Sequence, residues 1–317
     1  MANLILTNYC NANCEFCFAA ESLSRAGKTA CREMSEAEFC DCMEFIRKAG
    51  LNEMRFLGGE PTLHPRFADF VRMSRDAGFT VVVFTNGLMP ERARDALADL
   101  DPEDCSVILN MNAAIRHEDQ VKRAETLRIL GRRVTPGITL TSPDFSLLPL
   151  VAMIEKYGLA RSVRVGLANP TWRGSNRALH PKRYPAVGQA LFEQSFLTAK
   201  YGITMTADCG FVRCMFGERF SRLEENGFKY DSHCSPVVDL CAGGDIIPCF
   251  ALSNYLQVRR DEFEDASGAY AAMEEKLRPC HSFGIYPECA DCSFFETAAC
   301  CGGCTAARLR RIRPLSD

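Results

Sequence analysis

The stretch Tyr9-Cys10-Asn11-Ala12-Asn13-Cys14-Glu15-Phe16-Cys17-Phe18 sets the reading of the whole chain. Its three cysteines stand in the spacing C-x3-C-x2-C with an aromatic residue just before the third, and a short apolar strand at residues 3–8 delivers them. Structural zinc and ordinary ferredoxin centres take four protein ligands. Three thiolates in so compact a loop suit a cubane iron–sulfur cluster that keeps one iron free. A location at the end of a strand, where α/β barrels collect their sites, weighs against three incidental buried thiols.

A length of 317 residues allows one large domain or a domain with a smaller companion. With 47% apolar and 24% charged residues, the composition is that of a globular protein with a full core. The net charge of -3 makes no general case for nucleic acid or a membrane surface as partner. The basic run Arg308-Leu309-Arg310-Arg311-Ile312-Arg313 reads as a solvated helix end. No apolar run approaches the roughly 18 residues of a membrane span, and residues 1–7 lack a basic signal-peptide start, so a cytoplasmic location is expected. In a reducing cytosol the eighteen cysteines point to metal rather than disulfides. Three lie at 10–17, Cys31, Cys40, Cys42 and Cys105 are scattered, and eleven crowd between Cys209 and Cys304.

After the cysteine loop, residues 21–30 read as a loose connection, and Ser35 caps a helix that runs to Ala49 and stops at Gly50. Cys40 and Cys42 ride that helix as packing residues. A strand at 53–57 runs into Gly58-Gly59-Glu60-Pro61, where the glycines let backbone approach a ligand and the carboxylate suits a cation. A third strand, 79–84, ends in Thr85-Asn86-Gly87. The alternation continues with helices at 65–77, 90–100, 117–130 and 145–157 and strands at 106–110, 134–140 and 162–167. Six strands alternating with six helical stretches argue a parallel α/β sheet. Asn110, Asn112, Thr141 and Asn169 sit just past strand ends, where a reaction chamber would lie. The loop 171–177, with Trp172, Arg173 and Arg177, is a candidate to close over substrate.

The cysteine spacing and the Gly58-Gly59-Glu60-Pro61 stretch resemble the C-x3-C-x-aromatic-C and GGEP motifs of the radical S-adenosylmethionine (SAM) superfamily. That resemblance implies a partial (β/α)6 TIM-like barrel over 1–202, with Cys10, Cys14 and Cys17 holding a 4Fe-4S cluster whose open iron binds SAM. It further implies SAM contacts from Gly58, Gly59, Glu60, Thr85, Asn86 and Asn110. Beyond a closing helix at 185–201, the pattern Cys234-x9-Gly244-x4-Cys249, then Cys289-x2-Cys292-x7-Cys300-x3-Cys304, resembles the SPASM auxiliary-cluster module, here a small α+β region over 203–317. Residues 242–245 should turn a hairpin that brings Cys234 and Cys249 together. The spacing of seven rather than five before Cys300 and the lack of a cysteine after Cys304 depart from that module's pattern. By resemblance Cys234, Cys249 and Cys304 would hold a first auxiliary cluster, with Cys209 or Cys214 as fourth ligand, and Cys289, Cys292 and Cys300 a second. Cys280 or Cys301 would complete the second, or it stays open, or only one auxiliary cluster exists. A zinc knuckle of Cys289, Cys292, Cys301 and Cys304 is the bland alternative.

Such an enzyme would take one electron from a reductant such as flavodoxin or ferredoxin and generate a 5'-deoxyadenosyl radical that abstracts hydrogen from an unactivated C–H bond. Oxidation or crosslinking of a peptide or protein by a maturase is one expected outcome. Epimerisation or dehydrogenation of a small molecule such as a sugar or aminoglycoside is the other, with Cys249, Cys241 or Cys301 as hydrogen donor. The start of the chain on the first strand leaves no room for a leader-peptide-binding domain and favours a small or short substrate. A non-enzymatic iron–sulfur or zinc protein would need no GGEP motif.

Overall fold

The computed structural model describes residues 1–23, 32–112, 117–231 and 233–312. Residues 24–30 of the expected connection, Cys31 and Arg313 lie outside them. Strands β1 (Ala2–Thr7), β2 (Glu53–Gly58), β3 (Thr80–Thr85), β4 (Cys105–Asn110), β5 (Val134–Leu140), β6 (Ser162–Leu167), β7 (Thr204–Ala207) and β8 (Phe228–Lys229) pair in parallel, each with the next. Helices α1 (Glu36–Lys48), α2 (Phe67–Asp76), α3 (Glu91–Ala98), α4 (His117–Leu130), α5 (Leu148–Tyr157) and α6 (Tyr184–Lys200) alternate with the first seven. Helix α7 (Phe220–Glu225) precedes β8, and the rest of the chain adds β9 (Val238–Cys241), β10 (Asp245–Ile247), β11 (Val258–Arg259), α8 (Ala266–Leu277), α9 (Ser293–Glu296) and α10 (Thr305–Ile312).

Local sequence explains these elements. Ser35 and Glu38 form a reciprocal capping box at the start of α1, satisfying two otherwise orphaned amides. The Val81-Val82-Val83 run makes β3 a buried strand of the kind that helices cover on both faces. Strand β1 is buried at all six positions because it is internal to the sheet. Phe39 of α1 stacks on Phe70 of α2 with ring centroids 4.1 Å apart, and both pack toward Phe56 and Phe67 above the sheet.

Six alternating strands account for β1–β6, and the sheet extends beyond them on both sides. Strands β7 and β8 continue it past β6, while β9 pairs in parallel with β1 through Ala2↔Val238 and Ile5↔Cys241. A hairpin then returns through β10 and β11, turning at Gly243 and Gly244, both with positive φ. Strands of two to four residues are too short to carry a periodic signal, so beyond the hairpin expected at 242–245 the sequence assigns them no place in the sheet. The boundary expected at 202/203 falls between α6 and β7, and the sheet runs across it. One core spans Leu4, Val83 and Val165 together with Met273 and Leu309.

Candidate active site and cysteine clusters

The ends of β1, β2 and β3 are bolted together by backbone and by one carboxylate. Gly59 N donates to Thr7 O and Glu60 N to Tyr9 O, each at 2.8 Å, so the Gly58-Gly59-Glu60 turn lies directly on the cysteine loop. A Cβ at 58 would stand 2.3 Å from Thr7 O, and one at 59 only 2.2 Å from Tyr9 O and 2.9 Å from Cys10 Cβ. The close approach that the glycines permit is to the chain's own cysteine loop.

Glu60 is fully buried. Its Oε1 accepts from Thr62 Oγ1 at 2.6 Å and Thr85 Oγ1 at 2.8 Å, and its Oε2 accepts from Asn86 N at 2.7 Å. Burial pushes its pKa up, against the pull of these donors. Asn86 Nδ2 donates to Asn11 Oδ1, and Asn11 Nδ2 to Leu88 O, which ties the third strand's turn back to the cysteine loop. Asn110 Nδ2 donates to Thr139 Oγ1, and Asn112 Nδ2 to Thr139 O, so these two are held against β5. Thr141 is half-buried just beyond β5. Asn169 is buried with Oδ1 lacking any hydrogen-bond partner.

Arg123, which carries no signal in the sequence, enters the site from α4. It is 5% exposed, and its Nε and one terminal nitrogen have no hydrogen-bond partner. Burial lowers its pKa, while Cys14, Asp119 and Glu60 act on it in the opposite sense. Apolar residues of α4 form no clean stripe around it, so nothing in the pattern separates an inward arginine from the solvated ones nearby.

The loop 171–177 grips the cysteine loop. Arg173 N donates to Glu21 Oε1, Asn176 Nδ2 to Phe16 O and Arg177 N to Glu15 O. Trp172 lies on Tyr255, centroids 4.9 Å apart. These donors are engaged with residues 15–21, a different task from the substrate cover expected of them.

Downstream, the thiols fall into two groups. Cys209, Cys234, Cys249 and Cys304 act on one another electrostatically, and Thr305 at the start of α10 gives Cys234 Sγ its amide at 3.4 Å. A hydrogen bond from the Cys304 thiol, Thr305 and the Arg308 cation bring the Cys234 thiol down to about 5. Burial pushes Cys209 up, helped by Asp208 and the neighbouring thiols, and Cys249 up, helped by Cys234; the hydrogen bond with Cys234, then burial, does so for Cys304. The second group is Cys214, Cys289, Cys292 and Cys300. Burial, then Cys300, Cys289 and Cys292, push the Cys214 thiol up to about 11. Cys300 Sγ accepts from Arg213 N and Gly302 N, both at 3.4 Å. Cys209 and Cys214 are both surface-exposed residues.

Of the expected hydrogen donors, Cys249 stands within the first group, Cys241 Sγ donates to Asp239 O and Cys301 Sγ to Gly303 O, each at 3.7 Å. Cys280 lies 3.6 Å from Tyr255 Oη. The basic run is not a solvated end throughout: Arg308 is 1% exposed, donating to Cys301 O, Phe283 O and Thr305 Oγ1, and Arg311 donates to Gly284 O. Four arginines in six residues give no sign that the first of them is the cation that faces the thiols. Among the described residues no three His, Cys, Asp or Glu side chains are drawn together tightly enough for a single ion. Four-iron clusters bind one thiolate per iron and take a more open grouping than a zinc knuckle.

Residues 4–141 match the radical SAM superfamily. The chain is 25% identical over 327 aligned positions to mycofactocin maturase MftC of Mycobacterium ulcerans, covering 98% of this chain and 84% of that protein. It is 31% identical over 98 residues to GTP 3',8-cyclase of Chlorobaculum tepidum, an alignment covering 30% of this chain and 28% of the cyclase. Among solved structures, Streptococcus suis SuiB bound to precursor peptide SuiA shares the fold with a TM-score of 0.67 at 16% identity, over 96% of this chain and 71% of SuiB. The chain spans less than a third of the length of the first curated relatives it matches. No helix among the described residues is long and apolar enough to cross a membrane. On these grounds residues 4–141 form a radical SAM domain, and a cysteine-rich region follows it in the C-terminal part of the chain.

Proposed function

We propose that this radical SAM enzyme modifies a peptide or protein substrate, with a 4Fe-4S cluster on Cys10, Cys14 and Cys17 and auxiliary clusters on the downstream thiols. The observation that carries the reading is the likeness of 98% of the chain to a maturase. The fold shared with a SuiB structure that holds a precursor peptide supports it.

The residues present fit the groups that the family implies. Cys10 Sγ accepts an amide from Ala12 N of its own loop, and Cys234 and Cys300 accept theirs from the distant Thr305 N and Arg213 N, the bonds that steady ligating thiolates. The unmet Arg123 nitrogens suit a carboxylate, which SAM carries on its methionine end. When bound and reduced by an external carrier such as flavodoxin or ferredoxin, the cluster and SAM supply a 5'-deoxyadenosyl radical that takes hydrogen from an unactivated C–H bond. Glu60 acts on this site through Thr85 and Asn86, holding the second and third strand ends in register with the cysteine loop. Loop 171–177 steadies the same loop from the other side through Glu15, Phe16 and Glu21.

The test is anaerobic incubation of reconstituted protein with SAM, dithionite and the peptides encoded beside its gene. The expected result is 5'-deoxyadenosine formed in step with a peptide mass change of two hydrogens. No 5'-deoxyadenosine from cluster-replete protein would sink the enzyme reading. One solvent deuteron incorporated without a change of oxidation state would instead establish epimerisation, for which Cys241, Cys280 and Cys301 are downstream thiols outside both groups.

A further inference from the structure

The second thiol group poses a question that the first does not. Cys289, Cys292 and Cys300 come from one stretch of 12 residues, and three thiolates close only three corners of a four-iron cluster. The remaining corner decides whether the cluster meets substrate or only passes electrons. Two candidates near in sequence are occupied elsewhere. Cys280 is on Tyr255 Oη, and Cys301 turns its thiol to Gly303 O, where Cys234 of the first group acts on it ahead of Cys300 of the second.

The segment carrying Cys214 is built into this group from across the molecule. Arg213 N donates to Cys300 Sγ at 3.4 Å, which sets the neighbouring residue's backbone on the ligand loop. The Arg213 guanidinium lies 5.0 Å from the ring centroid of Phe294, between Cys292 and Cys300, and 3.7 Å from that of Phe220. On the other side the turn Arg213–Met215 is pressed into α6, where a Cβ at Gly188 would stand 2.0 Å from Met215 O. Phe211 and Phe216 on either side of it pack with Phe228. Cys209, five residues earlier, is held apart by the Arg164–Asp208 ion pair at 2.7 Å and by Asn169 Nδ2 donating to Cys209 O.

We infer that Cys214 is the fourth protein ligand of the second auxiliary cluster, with Cys289, Cys292 and Cys300, while Cys209 completes the first with Cys234, Cys249 and Cys304. The assignment rests on the auxiliary-cluster reading above. Two cysteines of one short segment thus divide between two clusters, and each cluster is closed by thiolate. A closed second cluster carries electrons and coordinates no substrate.

The test uses the full chain, purified and reconstituted anaerobically, with iron and acid-labile sulfide counted and the dithionite-reduced protein examined by electron paramagnetic resonance. Wild type is expected to hold about twelve irons, three clusters of four. Cys214→Ala should lose about four of these and one reduced-cluster signal, and Cys280→Ala and Cys301→Ala should lose none. A full iron complement in Cys214→Ala, or an equal loss in Cys280→Ala or Cys301→Ala, would overturn the assignment while leaving the auxiliary clusters in place. Wild type with only about four irons would instead remove the auxiliary-cluster reading itself. Should the alanine variant not fold, Cys214→Ser keeps an oxygen at the corner and should retain iron with a shifted signal. An unchanged spectrum there overturns the proposal equally.

Discussion

A methyl group at position 59 would reach within 2.2 Å of the Tyr9 carbonyl oxygen, and neither backbone can retreat without breaking the Glu60–Tyr9 hydrogen bond. Gly59→Ala is therefore expected to fold, by circular dichroism, yet to lose about four irons and all SAM cleavage, because the loop bearing Cys10 is the part displaced. Retention of the full iron count would contradict this. The sequence marks these glycines as sites of close approach; what approaches is visible only once β1 and β2 are paired. Arg123 shows the opposite case. Replacing it by Gln removes a charge-assisted contact of about 1.5–3 kcal/mol, so SAM affinity measured by equilibrium dialysis should fall roughly 10- to 100-fold with the iron count unchanged. An unaltered affinity would show that the orphaned nitrogens serve another partner.

Strand β9 carries a buried carboxylate into the middle of the sheet. Asp239 accepts from Asn3 Nδ2 of β1 at 2.6 Å, and burial raises its pKa to about 7 despite Asn3 and Arg55. Because the folded value exceeds the unfolded one, the native state holds the extra proton between about pH 4 and pH 7, and stability declines as pH climbs through that window. Between pH 6 and pH 8 the loss should be on the order of 1 kcal/mol. Asp239→Asn should flatten this slope, read as the difference in melting temperature at the two pH values under anaerobic conditions; a slope equal to wild type would exclude Asp239 as its source. The hairpin around it was legible from Ala242-Gly243-Gly244-Asp245, since two consecutive glycines announce positive φ. Its pairing partner was not, because nothing local in Val238–Cys241 specifies β1, some 235 residues away, over any other strand.

At the scale of the molecule, the alternation from β1 to β6 was readable because each strand sets apolar residues at most of its buried positions and is followed by a polar turn. The separation of Cys234, Cys249 and Cys304 from Cys289, Cys292 and Cys300 was expected from the resemblance, but the placing of Cys209 and Cys214 was not readable, since spacing ranks neighbours along the chain and the two groups recruit across it. The continuous sheet also bears on dissection. A fragment of residues 1–202 would leave β1, apolar and buried along its length, without β9, and expose β6 where β7 now pairs. Open edges of that kind invite association, so the fragment is expected to be insoluble or aggregated in size-exclusion chromatography; a monodisperse monomer would refute the dependence. The remote origins of the cluster ligands have a consequence for the order of events in the cell. Cys209 and Cys214 meet the other thiols of their groups only after β7 has joined β6 and the chain has passed back through β9 to Cys300 and Cys304, just ahead of α10. Loop closure over such separations is costly before contacts reward it. On the proposed assignment the auxiliary sites are therefore finished by folding, and iron delivered before Cys300 and Cys304 are made would find neither of them complete.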